Sequence, residues 1–172
     1  MNKSKIEIGI LGGSFDPAHK GHLAISKEAR KRFKLKKIIW AITKKNPLKA
    51  VSKTPVSKRI KDCKKLIGSN TFIKVKFYED TINSNKTIDL INYLKKNKKL
   101  EIFFLMGADN LISFHKWHKS KLITEKCNII VFDRHGYKKN SLKSKTFKKL
   151  NNKTLTFVKF KKVNISSSQL RK

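Results

Sequence analysis

The sequence contains few cysteines, no long apolar run and few acidic residues, and the first two shortages each argue against a class of protein. Its two cysteines, Cys63 and Cys127, lie far apart, with no Cys or His at metal-ligand spacing. This pattern argues against a disulfide framework and indicates free thiols in a reducing cytoplasm. No stretch approaches the roughly 20 apolar residues that a membrane span requires. Residues 1–5 lack the apolar block of a signal peptide, so we expect a cytoplasmic protein without a membrane contact.

Acidic residues are far outnumbered by basic ones. The chain holds 43 Lys and Arg against 11 Asp and Glu, a formal net charge of +32. A chain this basic is expected to bind polyanions, so a nucleic-acid-binding protein is one hypothesis. Nearly all of the charge is lysine, which suits bidentate recognition of bases less well than arginine does. Because the lysines are spread over the whole length, we interpret them as a solvated surface and expect no specific nucleic-acid partner.

Short apolar, β-branched runs alternate with segments of helical spacing. Strands are predicted at residues 6–11, 37–43, 71–77, 101–106, 128–132 and 154–160, and helices over 23–33, 56–67, 88–94 and 122–126. Such alternation implies right-handed crossovers and a mainly parallel sheet. We therefore predict an α/β, Rossmann-like, doubly wound fold in a single domain over residues 1–172, which is long enough to bury a core. Residues 138–153 are expected to form a loose, lysine-rich surface segment.

Residues 12–22, GGSFDPAHKGH, join the first predicted strand to the first predicted helix. The two glycines at the start of this stretch let the backbone approach a ligand closely. The helix start that follows offers free N–H groups and a positive dipole end, which suit phosphate. His19 and His22 are three residues apart, so both imidazoles would face the same way within one helical turn. The stretch predicts a site for an anionic nucleotide, the alternative being a plain turn with two solvated histidines.

Three later features fit the same kind of site, and each has a simpler explanation. Asp109 follows the fourth strand and could cap a helix or accept hydrogen bonds from a ribose. Trp117, flanked by charged residues, could stack on an aromatic ring or serve as a half-buried anchor. Ser166 and Gln169 have the form of a capping box, which predicts a further helix start. That helix start, with its serines and Arg171, suits phosphate or is a simple capped terminal helix.

Together these motifs resemble the nucleotidyltransferase superfamily with its His-x-Gly-His motif and its later Ile-Ser-Ser-Thr-x-x-Arg motif. Within it, the sequence resembles the bacterial nicotinate-nucleotide adenylyltransferases over most of its length. Residues 12–22 fit that pattern without a break, and residues 107–110 with Trp117 fit its Gly-x-Asp and Lys-Trp block. Residues 165–171 fit the closing motif, with Ser168 in place of threonine and Leu170 in place of isoleucine. The resemblance implies adenylyl transfer from ATP to nicotinate mononucleotide in NAD biosynthesis, giving deamido-NAD and pyrophosphate.

The resemblance also implies roles for individual residues. The catalytic residues would be His19 and His22, which would hold the ATP phosphates and stabilise the charge that develops during transfer. ATP would further be bound by Gly12, Gly13, Ser14, Phe15, Asp109, Ser167, Ser168 and Arg171, with Asp109 contacting the ribose. Nicotinate mononucleotide would be bound by Asn46, Lys49, Thr87, Trp117, His118 and Arg134.

Some positions depart from the pattern. Lys86, His118 and His135 replace an aromatic residue, a tyrosine and a proline on the mononucleotide side. These departures leave related reactions open, in which the acceptor is nicotinamide mononucleotide or phosphopantetheine, or in which a cytidylyl group is transferred. The chain stops at Lys172, whereas the family continues through a C-terminal helix, so a short or truncated terminal helix is expected. A homo-oligomer is left open.

The expected chemistry requires no covalent intermediate. An acceptor phosphate oxygen is already anionic and would attack the α-phosphorus of ATP in line, without a general base. Positioning and electrostatic stabilisation would supply the catalysis. Since the sequence shows no carboxylate cluster for a metal, we expect Mg²⁺ to enter with the ATP phosphates and no metal site of the protein's own.

Overall fold

The computed structural model describes residues 5–45, 52–150, 153–160 and 170, in which strands and helices alternate. The strands are β1 (Ile6–Gly13), β2 (Lys37–Ile42), β3 (Ile73–Phe77), β4 (Leu100–Gly107), β5 (Asn128–Phe132) and β6 (Leu155–Val158). The helices are α1 (Lys20–Phe33), α2 (Val56–Ile67), α3 (Glu79–Ile82), α4 (Thr87–Lys95), α5 (Ala108–Ser113), α6 (Ser120–Lys126), α7 (Lys138–Lys143) and α8 (Lys145–Leu150). A 3₁₀ turn, Phe114–Lys116, follows α5.

All six strands run parallel in one sheet of order β3-β2-β1-β4-β5-β6. The chain builds outward from β1 to β3 and then returns to place β4 on the other side of β1. The order therefore switches between β1 and β4, where open α/β sheets bind ligands beyond the carboxyl ends of their strands. This topology confirms the predicted Rossmann-like α/β fold.

Helices cover both faces of the sheet, which gives two apolar cores. On one face, Ile91 of α4 and Ile123 of α6 pack on the sheet. On the other face, Ala29 of α1 and Cys63 of α2 do the same. Strands buried on both faces are expected to be continuous apolar runs, and residues 129–132 of β5 are all buried. Within the described residues, no helix is long and apolar enough to cross a membrane.

The six predicted strands and four predicted helices are confirmed, with ends that differ by a few residues. The prediction of a loose segment at 138–153 is wrong over the described residues, because α7 and α8 lie there. Phe147 and Leu150 of α8 pack against the core, and Ser141 and Thr146 are buried. The abundant lysines hide this spacing of apolar residues in the sequence. Residues 151 and 152, at the end of that prediction, lie outside the described part, as do residues 161–169 with the predicted capping box.

Candidate active site

A cleft of about 620 Å³ opens at the carboxyl ends of β1 and β4. Its walls come from the turn after β1, the start of α1 and the segments that follow β3, β4 and β5. Every predicted site residue within the described ranges lines this cleft: Gly12, Gly13, Ser14, Phe15, His19, His22, Thr87, Asp109, Trp117, His118 and Arg134. The remaining predicted site residues, Asn46, Lys49, Ser167, Ser168 and Arg171, lie outside the described residues.

An aromatic stack fixes the turn between β1 and α1. Phe15 has a left-handed backbone (φ 49°), which is strained for a bulky residue, and its side chain is buried. Its ring stacks on Trp40 of β2 at 5.1 Å between centroids and lies 4.7 Å from the ring of His22. Trp40 Nε1 donates to Ser26 Oγ at 2.8 Å, and Ser26 Oγ donates to the His22 carbonyl at 2.9 Å. These contacts hold the start of α1 against β2.

The two histidines cap α1. His19 is the N-cap, with extended backbone, and His22 is the third helical residue, so the expectation that both imidazoles face the same way is confirmed. His19 Nδ1 accepts from the Gly21 N–H at 3.1 Å, and His22 Nδ1 accepts from the His19 N–H at 3.1 Å. The ring centroids lie 3.8 Å apart. Because each Nδ1 is an acceptor, a neutral ring carries its proton on Nε2, where it serves as a hydrogen-bond donor.

The electrostatics of this helix start favour an anion. Burial, reinforced by the nearby Arg134 guanidinium, lowers the pKa of His19 from 6.5 to about 4. His19 is therefore neutral at physiological pH. The first turn of α1 contains no acidic side chain, so no carboxylate within that turn neutralises the positive end of the helix dipole. Neutral N–H donors at such a helix start can bind phosphate oxygens.

Asp109 lies at the opposite side of the switch point, in the first turn of α5. The N-cap of that helix is Gly107, so Asp109 is not the capping residue. Its Oδ2 accepts from Arg134 Nη1 at 2.6 Å, whereas its Oδ1 is buried and has no hydrogen-bond partner among the described residues. A Cβ on Gly107 would lie 2.5 Å from that Oδ1. Since an unpaired buried carboxylate oxygen is costly, a ligand hydroxyl donating to Oδ1 would satisfy it.

The predicted mononucleotide residues form another wall of the cleft. Thr87 begins α4, and Trp117 and His118 follow the 3₁₀ turn. The Trp117 ring lies edge-on to Phe104 at 5.9 Å and 5.2 Å from Phe114. Trp117 is thus partly buried against the core while it lines the cleft. Its packing fits the half-buried anchor, and stacking on an aromatic ring of a ligand stays a prediction.

Arg59 of α2 was not identified as a site residue from the sequence. It is 2% exposed and donates to the backbone carbonyls of Ser14 and Thr43, at the ends of β1 and β2. One feature of the sequence could have identified it: position 59 is an arginine in a chain whose basic residues are nearly all lysine. Among the described residues, no group of three or more His, Cys, Asp or Glu side chains could hold a metal ion.

The sequence of the chain is similar to that of known proteins. A family described as cytidylyltransferase-like matches residues 10–172. A protein of Pelagibacter ubique (strain HTCC1062), named a probable nicotinate-nucleotide adenylyltransferase, is 67% identical over 100% of this chain and 96% of its own. One of Agrobacterium fabrum with the same name is 38% identical over 75% of this chain and 70% of its own.

Solved structures show the same fold. The Plasmodium falciparum nicotinic acid mononucleotide adenylyltransferase complexed with NaAD superposes with a TM-score of 0.76. The match covers 96% of this chain and 82% of that one. Because the sequence identity is 20%, this likeness concerns the arrangement of strands and helices.

Proposed function

The chain belongs to the cytidylyltransferase-like family, and we propose that it transfers the adenylyl group of ATP to nicotinate mononucleotide, giving deamido-NAD and pyrophosphate. The observation that carries this proposal is the cleft at the switch point, where the capping histidines of α1 and the Asp109–Arg134 pair line one cavity. The names of the P. ubique and A. fabrum relatives favour nicotinate mononucleotide as the acceptor.

The reaction we propose is an in-line displacement at phosphorus. A phosphate oxygen of nicotinate mononucleotide forms a bond to the α-phosphorus of ATP, and the bond from that phosphorus to the bridging oxygen of pyrophosphate breaks. The attacking oxygen is already anionic, so no group has to remove a proton from it. Catalysis then rests on positioning and on stabilising negative charge at the transferred phosphoryl group.

His19 and His22 suit this chemistry as hydrogen-bond donors. With Nδ1 engaged by a backbone N–H, each ring presents its Nε2 proton as a donor for phosphate oxygens. The pKa of about 4 keeps His19 uncharged, so it contributes a directed hydrogen bond and no proton transfer. The start of α1 adds the positive end of its dipole.

The two substrates are assigned to different walls of the cleft. We place the ATP ribose at the buried Oδ1 of Asp109, with the adenylate beside Gly12, Gly13, Ser14 and Phe15. Ser167, Ser168 and Arg171 are proposed to bind the ATP phosphates. The mononucleotide is placed at Thr87, Trp117, His118 and Arg134, together with Asn46 and Lys49. The contact between Arg134 and Asp109 supports neighbouring positions for the two substrates.

Mg²⁺ is proposed to be carried by ATP. No described cluster of carboxylates could hold the ion by itself, so phosphate oxygens and water would supply its ligands. The ion would supply positive charge at the phosphates. The residues of the chain would bind and orient those phosphates around it.

Pyrophosphate release tests the proposal directly. Purified protein with ATP and Mg²⁺ is offered nicotinate mononucleotide, nicotinamide mononucleotide or phosphopantetheine in turn, and CTP replaces ATP in a parallel series. We expect the highest kcat/KM with ATP and nicotinate mononucleotide. Preference for an acceptor without a pyridine ring, or for CTP, would refute the assignment.

Substituting His19 tests its role as a donor. His19→Asn keeps a side-chain acceptor for the Gly21 N–H, because asparagine is a good N-cap, but removes the Nε2 donor. We expect kcat to fall by about 10²-fold or more while the thermal midpoint stays near that of the wild type. A folded His19→Asn protein with wild-type turnover would contradict catalysis by this ring.

A further inference from the structure

Arg59 is a buried cation next to the cleft. Its side chain lies on the first turn of α2 and is 2% exposed. Burying a charge is costly unless the charged group is fully hydrogen-bonded. Arg59 Nη1 donates to the carbonyls of Ser14 at 2.6 Å and Thr43 at 2.8 Å, and Nε donates to the carbonyl of Thr54 at 2.9 Å. One guanidinium therefore joins three separate stretches of backbone.

One of those stretches belongs to the turn between β1 and α1, and the other two flank residues 46–51 in the sequence. Ser14 precedes Phe15, whose ring packs on His22. The Ser14 carbonyl therefore belongs to residues 14–19, the turn between β1 and α1 that we call the phosphate-binding turn. Thr43 follows β2, and Thr54 precedes α2. Residues 46–51, which include Asn46 and Lys49, connect these two positions along the chain. Arg59 thus contacts the backbone on both sides of that connection as well as the turn that carries the histidines.

Acidic side chains support the same junction. Glu79 of α3 accepts from Thr43 Oγ1 and from the Lys44 N–H, the latter at 3.2 Å. Burial lowers the pKa of Arg59, while the negative charges of Asp16 and Glu79 favour its protonated form. Arginine stays protonated in proteins, so the guanidinium remains a cation. Its charge is balanced by carboxylates near the ends of β1 and β2.

We propose that Arg59 is a positioning residue that fixes the phosphate-binding turn relative to the backbone at Thr43 and Thr54, the two positions that flank Asn46 and Lys49 in the sequence. This inference rests on the proposed function. A planar guanidinium can hold several carbonyls in fixed directions, whereas the single nitrogen of lysine cannot. This requirement accounts for an arginine at position 59 between Lys58 and Lys61 in a chain that otherwise favours lysine.

The test compares Arg59→Lys with Cys63→Ala. Cys63 lies one turn later on α2 and is also buried in the core; it interacts electrostatically with Arg59, but it makes none of the hydrogen bonds to Ser14, Thr43 and Thr54. Both substitutions should lower the thermal midpoint. Only Arg59→Lys should change kinetics: kcat/KM for nicotinate mononucleotide is expected to fall by about 10- to 100-fold. The KM for the mononucleotide should rise more than the KM for ATP, and kcat should fall as well.

Each outcome separates the two hypotheses. A wild-type protein inactive with nicotinate mononucleotide would defeat the proposed function. An active wild type with equal kinetic constants in Arg59→Lys and Cys63→Ala would defeat the positioning role alone. If Arg59→Lys does not fold, Arg59→Gln, whose amide can still donate to carbonyls, is measured in its place. Failure of both variants to fold would show that Arg59 serves the fold only, and would also overturn the inference.

Discussion

His19 combines a structural and a chemical task in one ring. Its Nδ1 caps α1 by accepting from the Gly21 N–H. Its Nε2 proton is the donor that we propose for a phosphate oxygen. The cap fixes the tautomer, and burial keeps the ring neutral. The helix end and the proposed catalytic donor therefore depend on the same protonation state.

The stability of the protein should depend on pH through His19. The pKa of this ring is about 4 when folded and 6.5 in the unfolded chain, so the unfolded chain binds the proton more tightly. The contribution of His19 is complete above pH 6.5 and is lost as the pH falls towards 4. The free energy of unfolding, measured in urea from neutral pH downward, should fall less steeply for His19→Asn than for wild type. Parallel curves would contradict this, and His115→Asn is the control at an exposed histidine.

Gly107 allows the Asp109 carboxylate to lie close to the backbone of β4. In Gly107→Ala the new Cβ would lie 2.5 Å from Asp109 Oδ1, so the carboxylate has to move and its contact with Arg134 is disturbed. We expect kcat/KM for ATP to fall by about tenfold, because about that much binding is lost with one charge-assisted hydrogen bond. The double variant Gly107→Ala/Asp109→Ala should be no worse than Asp109→Ala alone. Additive losses would show that Gly107 acts by another route.

At the scale of elements, α1 is attached to β2 through polar contacts inside an apolar core. Ser26→Ala removes the acceptor of the Trp40 Nε1–H, which is fully buried. We expect the free energy of unfolding to fall by about 1–3 kcal/mol, because the buried donor loses its hydrogen-bond partner. Chemical denaturation measures this change, and Lys27→Ala, at an exposed neighbouring position on α1, is the control variant. A Ser26→Ala protein as stable as wild type would mean that the donor finds another partner.

The elements were predictable where the spacing of apolar residues is undiluted. Residues 56–67, between Pro55 and Gly68, are a helix with the predicted ends. The strand β5 matches its prediction residue for residue. The helices α7 and α8 were missed because only Phe147 and Leu150, among many lysines, pack against the core. Short elements such as α3 are set by tertiary contacts like those of Glu79, which no local pattern reveals.

The candidate site was also predictable in part. Motifs located the histidines and Asp109, because helix starts after parallel strands must meet at one edge of the sheet. The ion pair between Asp109 and Arg134 was not predicted, since it joins residues from two crossovers. The role of Arg59 was missed for the same reason, because its carbonyl partners belong to different loops.

At the scale of the whole molecule, the net charge of +32 should govern weak binding to polyanions. We expect DNA duplexes of unrelated sequence to bind equally at low ionic strength and to dissociate steeply as salt is added. Fluorescence anisotropy across a salt series measures this. A strong preference for one duplex that persists at high salt would favour a specific nucleic-acid partner and contradict our interpretation of the lysines.

The positions of the two tryptophans provide optical reporters within the chain. Trp40 lies beneath the phosphate-binding turn, in contact with the Phe15 ring, and Trp117 lies in the wall assigned to the mononucleotide. The chain contains no other tryptophan. Its intrinsic fluorescence therefore arises at two places, one beside each proposed substrate. The order in which the substrates arrive can be followed in real time without attaching a dye.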